Sequence, residues 1–227
     1  MGELIEDPDL RDRRFVFEDR QDAGRRLAAF LGHYRGSTNA LLFAVPSGGV
    51  PVAAEAARIL SLPLDLLIVR KLQIPFNPEA GFGAMALNGD VLLNDELVES
   101  VRLGKEDIAA AVNTTKKVLD QRNRLFRGDR PLPPCGGKKV IITDDGLASG
   151  YTMRVAARWV RSMAPERIVV AVPTGSERTV DIIRREVDEI VCLNVRSGYR
   201  FAVAEAYRRW HDLSDDEVLR IIVSVFG

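Results

Sequence analysis

Cysteine and histidine are nearly missing from these 227 residues, with two of each. Cys135 stands in a Pro/Gly turn and Cys192 inside an apolar run, neither at metal-ligand spacing, so a disulfide framework is excluded. His33 and His211 are too few to suggest zinc. Excess charge of one sign is absent as well. Thirty-two basic residues face thirty-two acidic ones, which points neither to nucleic acid nor to an anionic membrane surface. No apolar run approaches spanning length; the longest, around 168–172, is strand-sized. The start, Met1-Gly2-Glu3-Leu4-Ile5-Glu6-Asp7, is acidic, lacks a signal-peptide core and places Glu6 where an acylation motif wants Ser or Thr. These absences predict a cytosolic protein whose anion site, if it has one, is built by geometry.

What is present is an ordinary globular balance, 46% hydrophobic and 28% charged. The length suits one large α/β domain with an accessory segment, or two small domains. A helical stripe of Ala23, Leu27, Phe30 and Leu31 predicts a helix over 22–34. The apolar run 39–45 reads as a buried strand entering the turn Pro46-Ser47-Gly48-Gly49. A helix follows over 50–60, with Pro51 in its first turn, and then a second buried strand over 64–69. That βαβ unit predicts a parallel sheet. Residues 73–83, with two prolines and two glycines, read as a loop. Asn88-Gly89 signals a type I′ hairpin. A long amphipathic helix spans 105–126 and ends at Gly128.

A second α/β run then alternates strands at 139–143, 167–172 and 189–195 with helices at 152–162 and 177–186. The last helix opens on the capping box Ser214-Asp215-Asp216-Glu217. The expectation is a doubly wound, mostly parallel five-stranded sheet. Its core would be residues 15–83 and 138–200, with a hairpin and helix inserted at 84–137 and a C-terminal helical segment at 201–227. Ligands of such sheets bind beyond the carboxyl ends of the strands, where the winding reverses. If the first and third strands are neighbours, the turns at 46–49 and 146–150 flank that crevice.

The most informative stretch is Val140-Ile141-Ile142-Thr143-Asp144-Asp145-Gly146-Leu147-Ala148-Ser149-Gly150-Tyr151-Thr152. Strand residues end in two adjacent carboxylates, and a small-residue turn then opens a helix. Amides at a helix start attract an anion, and the Ser149 and Thr152 hydroxyls add donors. No lysine follows, so this is not a Walker loop. Two acids beside a phosphate would repel it if aimed at it, but they suit a vicinal diol. Phosphate plus diol describes a ribose 5-phosphate.

The stretch resembles the PRPP-binding signature of type I phosphoribosyltransferases. Wider likeness to a bacterial and archaeal group of such proteins spans residue 17 to about residue 223. It is carried by Asp19-Arg20-x-Asp22-Ala23-Gly24-Arg25-Arg26-Leu27-Ala28, by Pro46-Ser47-Gly48-Gly49-Val50-Pro51-Val52-Ala53, by Arg70-Lys71-Leu72 and by Asn77-Pro78-Glu79. The resemblance implies a type I phosphoribosyltransferase fold and displacement of pyrophosphate from C1 of PRPP by an acceptor. Asp144, Asp145 and Lys71 are then the catalytic candidates. Ala148, Ser149, Gly150, Tyr151 and Thr152 would take the 5′-phosphate, and Ser47, Gly48, Gly49, Arg70 and Lys71 the pyrophosphate. Mg²⁺ would lie on pyrophosphate and ribose oxygens, with Asp144 and Asp145 reaching it through water or the ribose.

Two departures qualify the likeness. Ser47 stands where related sequences often carry Arg. Ala148 stands where 6-oxopurine members carry Asp, which disfavours a hypoxanthine or guanine enzyme. Residues 73–83 are a candidate lid. Tyr199 and Phe201, with Tyr207 and Trp210, either stack on a flat acceptor or form core beneath a terminal helix, the second being the more common use of such a cluster. The helix over 105–126 serves as a lid, a dimer surface or plain packing, and its apolar face needs a partner. Two other readings stay open: a PRPP-sensing regulator on the same fold, and a nucleotide-binding module with no PRPP preference.

Overall fold

The computed structural model describes every residue except Phe76 and Gly227, and the side chains of all described residues except Asn77, Pro78, Glu79 and Phe226. Its main sheet has six parallel strands. They are β1 (Glu3–Ile5), β2 (Ala40–Ala44), β3 (Leu64–Leu66), β7 (Lys139–Thr143), β8 (Arg167–Ser176) and β9 (Glu189–Arg196), in the order β1-β9-β8-β7-β2-β3. Five were expected; β1 is the sixth, a three-residue edge strand too short to carry a periodic signal. Strands β2 and β7 are neighbours, with Ala44 opposite Thr143, so both adjoining turns leave the sheet side by side.

Successive residues of these strands feed opposite cores, as the pleat requires. Leu42, Ala44 and Ile141 face the side of α1 (Arg20–Phe30) and α2 (Gly49–Leu60), while Leu41, Phe43, Val140 and Ile142 face α5 (Tyr151–Ser162) and α6 (Glu177–Ile183). This double burial is why the strands read as continuous apolar runs rather than alternating ones.

Between β3 and β7 lies a second sheet, β4 (Val69–Ile74), β5 (Asn77–Ala86) and β6 (Val91–Leu93), antiparallel throughout. This corrects two expectations. The strand foreseen over 64–69 divides, and its end turns away into the smaller sheet. Residues 73–83 are mostly strand rather than loop. Glycine works there because β4 and β5 press together: a Cβ at Gly81 would lie 3.1 Å from Lys71 Cβ, and the ladder shifts register beside Leu72 and Gln73. The tip near Phe76 lies outside the described residues.

The 86–90 hairpin forms, but not with a type I′ turn. Gly89 N–H donates to Ala86 O at 3.0 Å and Ala86 N–H to Asp90 O at 2.9 Å, and only Gly89 has positive φ. That is a three-residue loop closed by a glycine bulge. Helices α3 (Asp95–Ser100) and α4 (Lys105–Arg127) follow, and Arg127 grips Asp65 with both Nε and Nη2, fastening α4 to β3. α7 (Asp215–Phe226) starts on the foreseen capping box, the Ser214 hydroxyl and amide both donating to Glu217 Oε2 at 2.9 Å. Strand β8 runs four residues past the expected end. The parallel ladder to β9 skips Pro173, which has no N–H to give, and resumes at Thr174. α6 stops at Ile183, three residues early.

Candidate functional site

The turn after β7 is held open by its neighbours. Leu147 N–H donates to Thr174 O at 2.9 Å, Ser176 N–H returns to Leu147 O at 3.1 Å, and the Thr179 hydroxyl donates to Ala148 O. Gly150 caps α5 at φ +79°, a conformation that costs L-residues steric strain, and offers no capping side chain. The first helical turn is therefore left with orphan amides pointing outward. Ala148 and Ser149 are exposed, while Tyr151 and Thr152 are half-buried. All but Gly150 and Thr152 of the five proposed phosphate-binding positions line a cleft of about 1040 Å³, together with Arg154, Arg178, Arg196, Tyr199 and Phe201.

The turn after β2 is packed differently. Its Pro46–Ser47 peptide is cis. A Cβ placed on Gly48 would lie 1.9 Å from Asp145 Oδ2, and one on Gly49 2.6 Å from Thr143 O. The bare backbone of the turn thus lies directly on the acid pair. No larger residue fits at Gly48 without moving Asp145.

The two acids differ. Asp145 accepts from Arg20 Nε at 2.9 Å, in a pair whose side chains are only 8% and 15% exposed. Arg20 also donates to His211 O, and its guanidinium lies 3.8 Å from the centroid of the Trp210 ring. Tyr207 donates its hydroxyl to Asp145 O at 2.6 Å. Asp144 accepts only from the Asp145 amide, at 2.8 Å, and has no ion pair among the described residues. Burial, and then the charge of Asp145, hold the Asp144 carboxyl well above the usual carboxylate range. Burial raises Asp145 too, but Arg20 pulls against it.

The foreseen aromatic group splits. Tyr207 and Trp210 are packed around Arg20, with Tyr207 1% exposed, whereas Tyr199 is fully solvent-exposed and Phe201 half-buried, both on the cleft. The basic pair on β4 also splits. Lys71 is exposed; Arg70 is half-buried, and burial, then Arg122, lower its pKa, with Asp215 opposing. Arg70 therefore sits in the field of α4 and α7. Among the described residues no cluster of three metal-ligating side chains occurs, and no helix is long and apolar enough to cross a membrane.

A model of the phosphoribosyl transferase domain matches residues 17–206. The chain belongs to the phosphoribosyl transferase family. Two curated Mycobacterium tuberculosis relatives, from strains H37Rv and CDC 1551, carry the words phosphoribosyl transferase in their names. Each is 39% identical over 207 residues, covering 91% of this chain and 46% of the relative. The chain thus spans less than half the length of those relatives. Among solved structures, TT1426 from Thermus thermophilus superposes with a TM-score of 0.73 at 32% identity, over 95% of this chain and 100% of that one. AQ2163 from Aquifex aeolicus is alike in fold alone, with a TM-score of 0.51 at 12% identity over 83% and 78% of the two chains.

Two arginines that the sequence reading gave no role lie here, Arg20 on Asp145 and Arg196 on the cleft. Arg20 lies on the buried stripe of α1 with Ala23, Gly24, Leu27 and Ala28. A guanidinium on a buried stripe needs a carboxylate, and that pattern was visible. Arg196 ends a strand that is buried at every position, the same kind of signal.

Proposed function

We propose that the chain transfers the phosphoribosyl group of PRPP to an acceptor, with Mg²⁺, releasing pyrophosphate. The observation that carries this is the junction of β7 and α5, where an acid pair leads directly into an open amide turn facing a cleft. In this reading the amides of 148–152, with the Ser149 and Thr152 hydroxyls, hold the 5′-phosphate. Asp144, which has no cation partner among the described residues, takes the ribose hydroxyls; Asp145, already held by Arg20, supports it.

The C1–oxygen bond breaks with its electron pair leaving on pyrophosphate, and a lone pair of the acceptor closes on C1. The acceptor's proton goes to solvent or to the released pyrophosphate. The transition state is oxocarbenium-like, so the chain's contribution is to position the two fragments and exclude water. The amides of the 46–49 turn, with Lys71 and Arg70 as candidate cations, are assigned to the pyrophosphate. The β4–β5 hairpin, with its tip near residue 76, is the candidate lid.

Magnesium fits this site as a guest of the substrate. No described cluster offers three ligands, but burial and then the charge of Asp145 raise Asp144, and a nearby cation would offset both. When bound it would supply charge neutralisation for the leaving pyrophosphate.

PRPP with Mg²⁺ should stabilise the folded chain by about 2.7 kcal/mol at a hundredfold excess over Kd and so raise its melting temperature. An unchanged transition at millimolar PRPP would reject the assignment. Pyrophosphate release across a panel of bases and amines then identifies the acceptor. A second reading, a regulator that binds PRPP without turnover, is favoured by one observation: the 46–49 turn carries no cation and lies against Asp145. Binding with no release across the panel would select it.

A further inference from the structure

The cleft beside the phosphate turn has a basic floor. Arg196 is 6% exposed and lines it; Nη2 donates to Glu205 at 2.8 Å, while Nη1 is buried with no hydrogen-bond partner among the described residues. A buried guanidinium nitrogen left unpaired is costly, and a ligand oxygen relieves that cost. Arg178, exposed on α6 at the rim of the same cleft, has no ion pair among the described residues. Phe201 lies beneath Arg196, with its ring centroid 5.6 Å from the guanidinium carbon, and offers an apolar surface beside the charge. The cleft also has acids: Asp95 and Glu96 are exposed, where water screens them, and Glu177 is half-buried and paired with Arg11. Burial gives the floor the stronger field.

We propose that the acceptor is a flat molecule carrying a carboxylate or phosphate group, which Arg196 and Arg178 take while Phe201 and Tyr199 face its ring. The proposal rests on the phosphoribosyl-transfer reading above and adds the charge class of the acceptor to it. Arg196 is a specificity-determining residue here, not one that moves the reacting bond.

The test uses matched probe pairs that differ in one carboxylate: nicotinate against nicotinamide, and orotate against uracil. Each is added to the full chain already holding PRPP and Mg²⁺, and thermal stability and pyrophosphate release are read. At least one carboxylated member is expected to stabilise the protein beyond PRPP alone, with its neutral twin at least about tenfold weaker. Arg196→Met should abolish the discrimination while the PRPP shift persists. Arg178→Gln, at an exposed position where folding is not at stake, should reduce it about threefold. Equal responses within each pair, or no response from any probe while PRPP still stabilises, overturn the proposal. Loss of the PRPP shift in the unmodified chain would instead sink the transfer reading itself.

Discussion

The two turns that meet at the centre of the sheet are built from similar residues and left in opposite states. The turn after β7 is braced from behind by Thr174, Ser176 and Thr179, and its amides stay open to the cleft. The turn after β2 is pressed onto the acids, with Gly48 against the Asp145 carboxylate. In the proposed reading the first is a preformed anion cradle, and the second must shift, or accept its ligand from outside, before both acids can meet a sugar. The difference comes from what lies behind each turn: a strand extended by four residues in the first case, and a buried ion pair in the second.

The most damaging test of this contrast is removal of both charges. Asp144→Asn with Asp145→Asn should weaken PRPP binding by about a hundredfold or more by calorimetry, since hydrogen bonds to charged groups contribute roughly 1.5–3 kcal/mol each. Undiminished affinity would remove the ribose role. Next, Arg20→Met leaves Asp145 buried without its cation and should cost about 3 kcal/mol of stability in denaturant unfolding. No loss would mean that the pair does not hold the β2 turn side together. Gly48→Ala forces a methyl group into the Asp145 carboxylate, with an expected cost of about 1–3 kcal/mol and a fall in PRPP affinity. Ser149→Ala in the open turn should leave stability alone and lower affinity about tenfold, the low end for one hydrogen bond to a charged group. Equal damage from the last two would erase the distinction between the turns.

The smallest effect concerns protons. Because burial and Asp145 raise the Asp144 pKa in the folded chain, the unliganded protein gains stability relative to its unfolded state as pH falls through that raised value. A diol prefers the ionised form, so PRPP binding at mildly acidic pH should release protons. Calorimetry in buffers of different ionisation enthalpy reads this directly, and buffer-independent heats would contradict it.

Most of the frame was legible before any coordinates, because buried parallel strands and an amphipathic helix write long, regular patterns. The motif at 140–152 was legible for a different reason: two adjacent acids running into a small-residue turn form a short local pattern, although one of them, Asp145, proves to have a folding partner in Arg20. What escaped detection was short or tertiary. β1 has three residues and borrows its stability from β9. The β4–β5 hairpin hides strands behind glycines such as Gly81, whose role appears only when the two strands are seen in contact. The division of Asp144 from Asp145 depends on Arg20, 125 residues away in sequence, and no local pattern carries that.

One consequence reaches into engineering. Trp210 and Tyr207 form the wall around Arg20, and Tyr207 is also bonded to the Asp145 carbonyl. Residues 199 and 201, a few positions upstream, reach the cleft where the acceptor is placed. The C-terminal stretch is therefore not a detachable cassette. Grafting it from a relative to change what the chain accepts would also retune the electrostatics at the sugar, unless Tyr207, Trp210 and Arg20 travel together.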